Sequence, residues 1–303
     1  MNRARAFAPG SIGNVGPGFD VLGLAVDGIG DTVTVELTKG PSRIESIAGR
    51  DAELVPKDPA RNCASIAANA YLHPFGYRAI VSVEKGLALS GGMGGSAASS
   101  VAGAYAAALA LGQAPSMRDV IAAALEAEAA VAGRHLDNIA PSALGGLALS
   151  RSVDPVDAVK LPVAADWWIA LVTPKVRIRT KDARAILPET CARATWVQLM
   201  ANTTALAHAF AIGDAELLGR ALDDVYAEPL RAPLIPHFHD VKRAALDAGA
   251  YGCSISGSGP TIFTIAADEP AARTCAAAMA QAFGEVETAV HVGGIAKEGV
   301  RRA

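Results

Sequence analysis

Hydrophobic and polar residues alternate over 32–37 (TVTVEL) and 79–84 (AIVSVE), the period-two pattern of strands buried on one face. Residues 62–72 read as a helix, and a long alanine-rich helix is predicted after Ser96. Another is expected over 116–131, with Ser116 as N-cap and Asp119 at N3 in the manner of a capping box. Residues 145–150 (GGLALS) return to strand. Prolines and charges then change the texture at 151–162, which places a domain boundary there and divides the chain into 1–155 and 156–303. Beyond it, 167–173 (WWIALVT) reads as a buried strand, and 190–212, 215–222 and 237–248 as helices, the last ended by Gly249. A strand at 260–266, an amphipathic helix at 270–283 and a strand at 287–292 give a β-α-β finish. Helices and strands mix in both halves, with hairpin-like spacing in the first. That pattern predicts an α+β fold of sandwiches, not a doubly wound parallel sheet.

The 303 residues suggest two domains at about 150 residues each. Apolar residues make up 51% and charged residues 19%, enough for a sizeable core and without the composition of disorder. A formal charge of −3 argues against general affinity for nucleic acid or an anionic membrane. Residues 1–7 are basic and lack the apolar stretch of a secretory leader. The most apolar long run, 97–111, is shorter than the ~20 residues a bilayer requires. The four cysteines lie far apart with no C-x-x-C pair, so neither a disulfide framework nor a zinc site is expected, and the cytoplasm is the expected compartment. His237 and His239 lack a third ligand candidate for a metal.

Candidate chemistry concentrates in Ser90-Gly91-Gly92-Met93-Gly94-Gly95-Ser96-Ala97-Ala98-Ser99-Ser100, between a predicted strand and a predicted helix. Glycines let backbone approach a phosphate closely, and free N–H groups at a helix start supply donors and a favourable dipole. Serines in the first turn can donate to phosphate or ligate Mg²⁺. The loop has no G-K-[ST], which excludes a Walker A reading. It fits G-x-G-x-x-A, but the acidic residue about 20 positions on that dinucleotide folds carry is missing. A flexible turn with tight helix packing is the bland alternative.

With its neighbours the loop becomes specific. Ala8-Pro9-Gly10-Ser11-Ile12-Gly13-Asn14-Val15-Gly16-Pro17-Gly18-Phe19-Asp20 resembles the N-terminal signature of homoserine kinases, a branch of the GHMP family of small-molecule kinases. The Gly/Ser loop resembles that family's lysine-free phosphate loop. Gly133-Arg134-His135-Leu136-Asp137-Asn138-Ile139-Ala140-Pro141 is similar to its third signature, and 254–261 (SISGSGPT) to its C-terminal glycine-rich loop. Thr180 to Arg184 with Leu187-Pro188, and Glu228 to Arg231 with Ile235-Pro236, resemble homoserine kinases in particular. The likeness runs in order through nearly the whole chain. It implies an N-terminal domain with a left-handed β-α-β unit, a ferredoxin-like C-terminal domain, an active site in the cleft between them, and a homodimer. Many GHMP kinases carry a lysine after Ala-Pro-Gly and a catalytic aspartate in the third signature. Ser11 and Asn138 stand there, as in homoserine kinases.

The resemblance implies roles. The implied reaction is ATP-dependent phosphorylation of L-homoserine to O-phospho-L-homoserine, on the route to threonine. Leu89, Ser90, Gly91, Gly92, Met93, Gly94, Gly95, Ser96, Ala97 and Ser99 would surround the nucleotide phosphates, and Asn62 would touch adenine or simply cap its helix. Ser96 and Glu128 would hold Mg²⁺, for which hydroxyl and carboxylate oxygens are suited; Glu126, two positions away, competes for the second place. Arg184 and Arg231 would clamp the substrate carboxylate with their planar forks, or form surface ion pairs. Asp20 would take the ammonium, Asn14 and Asn138 would orient the hydroxyl, and Thr180 would add a donor. His135 either titrates as acid or base or shapes the pocket, and Asp137 either binds substrate or caps a turn. With no base evident beside the hydroxyl, catalysis would rest on positioning and electrostatics.

This chain departs from the family's usual Gly-Ser-Gly-Leu-Gly-Ser-Ser-Ala at Gly91 and Gly95, each losing a hydroxyl worth about 1 kcal/mol as a hydrogen bond. Two other readings stay open: a GHMP kinase of another small hydroxy acid, or a non-catalytic nucleotide-binding member of the fold.

Overall fold

The computed structural model describes residues 2–131 and 133–303. Strand β1 (Arg3–Gly13) runs antiparallel to the long β2 (Leu22–Thr38), in register from Arg3 opposite Glu36 to Gly13 opposite Gly23, with a shift between Pro9 and Gly10. β3 (Arg43–Gly49) pairs in parallel with β4 (Arg78–Lys85), so their connection crosses over through helix α1 (Cys63–Leu72). Helices α2 (Gly95–Ala110), α3 (Met117–Val131) and α4 (Ile139–Leu144) follow, then the antiparallel pair β5 (Leu147–Val153) and β6 (Val156–Leu161).

The later part begins with β7 (Trp168–Pro174) and helices α5 (Thr180–Ala185), α6 (Arg193–Ile212), α7 (Ala215–Ala221), α8 (Glu228–Arg231) and α9 (Phe238–Asp247). It ends with β8 (Gly252–Ile255), β9 (Ile262–Ala266), α10 (Glu269–Ala282), β10 (Thr288–Gly294) and β11 (Arg301–Arg302). The first sheet has the order β11-β1-β2-β4-β3, with β5 on β2 and β6 on β5. The second is β10-β7-β9-β8, antiparallel at every pair. Its four strands therefore take the spatial order fourth, first, third, second, which is the ferredoxin-like arrangement. The fold is α+β, as the alternation of elements predicts.

Small residues decide how closely the helices sit on the first sheet. Ala97, Ala98, Ala102, Ala104, Ala106 and Ala107 of α2 are fully buried, with Val33, Val35 and Val81 of the sheet in the same core. A Cβ on Gly103 would lie 2.4 Å from the Ala64 carbonyl, so α1 and α2 approach backbone to backbone there. Trp167, Leu171, Phe210 and Phe263 join that core from the later part of the chain, while Val172, Phe238, Val241, Ile262 and Phe283 form a second cluster beneath the ferredoxin-like sheet.

Residues 3–13 carry no strand expectation, yet they form β1, because both flanks are covered and the run is buried from Phe7's neighbours onward without alternating. β6 lies inside the 151–162 stretch and still pairs with β5, so the two sheets separate between Leu161 and Trp168. Among the described residues no helix is long and apolar enough to cross a membrane.

Gly103→Val should force α1 and α2 apart, at a cost of about 1–3 kcal/mol or more from overpacking. Thermal unfolding would show it as a clear fall in Tm; a Tm within 1 °C of the parent protein would contradict the backbone contact.

Candidate active site

Loops from three distant parts of the chain meet beside a cavity of about 590 Å³. Asn14 is the meeting point. Its N–H donates to Asp137 Oδ2 at 3.1 Å, its Nδ2 donates to the Gly257 carbonyl at 3.3 Å, and its Oδ1 accepts the Asp20 N–H at 3.0 Å. The Gly257 N–H in turn donates to the Gly13 carbonyl at 3.0 Å. Asn14, Val15 and Asp20 all have positive φ (66°, 49° and 57°), a region that Asn and Asp tolerate but a β-branched residue does not. Val15 is held there fully buried, so the surrounding contacts outweigh its strain.

The glycine-rich loop runs from β4 into α2 as the sequence predicts, and its glycines have steric causes. A Cβ on Gly94 (φ 65°) would lie 2.3 Å from Ser11 Oγ, and one on Gly92 (φ 75°) 2.7 Å from the Ser256 carbonyl. Gly91 and Gly95 differ: a Cβ there meets nothing nearer than 3.5 and 3.4 Å, so serine would fit at either position. Ser256 Oγ donates to the Gly92 carbonyl at 2.6 Å and Thr261 Oγ1 to the Gly91 carbonyl, which ties this loop to the C-terminal glycine-rich loop. Leu89, Ser90, Gly91, Gly92, Gly94, Gly95, Ser96 and Ser99 line the cavity. Met93 and Ala97 are buried in the core instead.

Beneath the loop lies a pair that carries no motif. Lys85 Nζ bonds Asp31 Oδ2, the Gly95 carbonyl at 3.1 Å and Ser99 Oγ at 3.0 Å. Asp31 Oδ1 accepts the N–H groups of Gly86 and Leu87, and its Oδ2 accepts Ser99 O–H at 2.6 Å. Both charges are buried. The Ser99 hydroxyl is thereby committed to this network. Asn62 is likewise committed: its Oδ1 caps α1 by accepting the Ser65 N–H, and its Nδ2 donates to the Pro56 carbonyl. It still lines the cavity, as does the half-buried Cys63, whose thiol burial pushes up to about 11.

Ser96 and Glu128 come together across 32 positions of sequence, Ser96 Oγ donating to Glu128 Oε2 at 3.0 Å. Glu126 points away and pairs with Arg134 at the surface. His135 stands between two carboxylates, its Nδ1 3.9 Å from Glu128 and 3.7 Å from Asp137. Burial pushes the Glu128 carboxyl up, opposed by His135 and by the Ser96 hydrogen bond; burial also raises Asp137, against His135. Among the described residues no group of three or more His, Cys, Asp or Glu could hold a metal ion by itself. A hydroxyl and one carboxylate suit a hard cation such as Mg²⁺, which takes its other ligands from water and phosphate. Asn138 and Ser11 bond each other: Asn138 Nδ2 donates to Ser11 Oγ at 3.0 Å, and Ser11 Oγ donates to the Asn138 carbonyl at 3.1 Å.

At the other end of the cavity, Arg184 forks onto Asp20 with contacts of 2.9 and 2.7 Å, and this hydrogen-bonded pairing raises its pKa. Its buried Nε has no hydrogen-bond partner among the described residues. Thr180 lines the same end, its Oγ1 3.4 Å from Ser258 Oγ. Arg231 is 3% exposed and anchors Nε on the Ala183 carbonyl at 3.1 Å and Nη1 on the Gly257 carbonyl at 2.9 Å. No carboxylate of the described residues pairs with it within 4.0 Å. Burial and then the neighbouring Arg184 charge push its pKa down. Asp224, Asp20 and Asp137 oppose that shift without any of them lying within 4.0 Å, and a buried cation beside a cavity with no carboxylate in direct contact suits an anion.

Residues 60–146 match the family model of the GHMP kinases N-terminal domain, and 206–285 that of the GHMP kinases C-terminal region. The chain is 41% identical to homoserine kinase of Chloroherpeton thalassium over 94% of each chain, and 40% identical to that of Arabidopsis thaliana over 93% of this chain and 79% of the plant protein. The crystal structure of homoserine kinase from Cytophaga hutchinsonii superposes with a TM-score of 0.93 at 41% identity, covering 100% of this chain and 98% of the other. Mevalonate kinase of L. major, at 13% identity and a TM-score of 0.71, shares the fold alone.

Asp31→Ala would leave Lys85 buried without its counter-charge under the glycine-rich loop, a loss of about 3–5 kcal/mol. Urea unfolding measures it; a loss below about 1 kcal/mol would contradict the reading of this pair as the support of the loop.

Proposed function

The chain belongs to the GHMP kinase family, and from that membership we infer that it transfers the γ-phosphoryl group of ATP to the terminal hydroxyl of L-homoserine. The observation that carries the substrate is Arg231, a buried guanidinium facing the cavity without a carboxylate. L-homoserine supplies that carboxylate, and its ammonium falls to Asp20 beside Arg184. The zwitterion of an α-amino acid thus brings a carboxylate to Arg231 and an ammonium to Asp20. Mevalonate has no ammonium and galactose has neither charged group.

The γ-phosphate lies against the N-terminus of α2, where the backbone N–H groups of 94–96 and the helix dipole favour it. Ser96 and Glu128 would hold Mg²⁺, which when bound would supply charge neutralisation for the nucleotide phosphates. Asn138, fixed by Ser11, orients the hydroxyl, and Asn14 holds the loop that carries Asp20. His135 and Asp137 shape the wall between the two ends. The oxygen of homoserine forms the new O–P bond and its proton passes to the transferred phosphoryl group, so no side chain is needed as base. An N-terminal domain supplies the phosphate loop and a C-terminal domain the two arginines; the boundary read from the sequence is 155/156, and the sheets part between Leu161 and Trp168. The product, O-phospho-L-homoserine, belongs on the route to threonine. A homodimer and a cytoplasmic location complete the reading.

A coupled ADP-release assay tests it. Turnover should require Mg²⁺, stop with EDTA, and select L-homoserine over L-serine, mevalonate and galactose. Arg231→Ala should raise the homoserine KM about 10- to 100-fold, the equivalent of about 1.5–3 kcal/mol for a charged hydrogen bond. Turnover of a substrate without a carboxylate, at a rate matching homoserine, would overturn the substrate assignment.

A further inference from the structure

Arg231 sits at the end of α8, a helix of four residues, Glu228–Arg231. One turn cannot hold itself together in water, because nucleation costs more than one hydrogen bond returns. Its position must come from outside. Asp224 supplies part of it, accepting the N–H groups of Tyr226, Ala227 and Glu228 at 2.9 Å each. The rest comes from Glu228, a buried carboxylate at the far end of the same turn. Glu228 Oε1 bonds Lys242 Nζ on α9, and Oε2 accepts the Ser254 O–H on β8 at 2.6 Å.

Ser254 lies three residues before Gly257, whose carbonyl accepts from Arg231 Nη1 at 2.9 Å and from Asn14 Nδ2. The same carboxylate therefore holds both the turn that carries the guanidinium and the strand that leads into Gly257, one of the guanidinium's two anchors. We propose that Glu228, clamped between Lys242 and Ser254, is a positioning residue that sets Arg231 for the substrate carboxylate and so determines affinity for the amino-acid substrate without touching it. This rests on the reading of Arg231 given above. Burial holds the carboxyl up and the Lys242 ammonium opposes it. None of these three side chains lines the cavity.

The test is steady-state kinetics of the full chain with Mg-ATP and L-homoserine, for the parent protein, Glu228→Gln and Ser254→Ala. Glu228→Gln should raise the homoserine KM about tenfold and Ser254→Ala at least threefold, with the ATP KM within twofold in both. A merely structural role would lower Tm and leave the homoserine KM alone, or shift both KM values together. Either result overturns the proposal. Should Glu228→Gln fail to fold, Ser254→Ala removes only one hydroxyl and decides the matter by the same criterion. Parent protein that turns over homoserine while both variants keep its KM sinks the clamp alone; parent protein inactive on homoserine sinks the substrate reading and the clamp with it.

Discussion

Everything in the cleft depends on the close approach of three loops at residues 13 and 14. The Gly13 carbonyl takes the Gly257 N–H, the Asn14 N–H reaches Asp137, and the Asn14 amide spans from Gly257 to Asp20. Space there is short: a Cβ on Gly13 would lie 2.5 Å from Asp137 Oδ2 and 2.8 Å from Asn138 Oδ1. The loops come from both ends and the middle of the chain, so the site exists only when both sheets are assembled. Each hydrogen bond is modest in net terms, but leaving one of these buried groups unpaired is costly, and that asymmetry fixes the arrangement.

Upon this frame the charges are sorted. One end is acidic and hydroxylic, with Ser96, Glu128, His135 and Asp137 in contact. The other end is cationic, with Arg184 already forked onto Asp20 and Arg231 hydrogen-bonded to the Ala183 and Gly257 carbonyls. Between them the backbone of the glycine-rich loop offers N–H groups held in place from below by Lys85 and Asp31. Phosphoryl transfer asks for aligned oxygens and neutralised charge more than for covalent help, and such a cleft provides both.

Much of this was legible in the sequence. The α+β class and the strand–loop–helix setting of 90–100 follow from the pattern of residues, while Asn14, Asp20, Ser96, Glu128, His135, Asp137, Asn138, Arg184 and Arg231, which line one cavity, were singled out by the resemblance to GHMP kinase signatures. Asp31 and Lys85 were not legible, because they are 54 positions apart in ordinary strand sequence and only pairing of β2 with β4 brings them together. Strand β1 hides behind its own motif, since a run buried on both faces does not alternate. The commitments of Ser99 and Asn62 to their own networks could not be read either; a hydroxyl or amide at a helix start looks the same whether it faces a ligand or a neighbour. That Glu128 and not Glu126 meets Ser96 follows from which face of α3 packs inward.

Recognition of the substrate carboxylate falls to Arg231. The most direct measurement compares kcat/KM for L-homoserine with that for 3-amino-1-propanol, which keeps the amine and the hydroxyl and lacks the carboxylate. The expected loss is about 100-fold or more, corresponding to about 3 kcal/mol of lost transition-state stabilisation. Values within fivefold of each other would mean that the buried guanidinium does not recognise the substrate, and the account would be wrong.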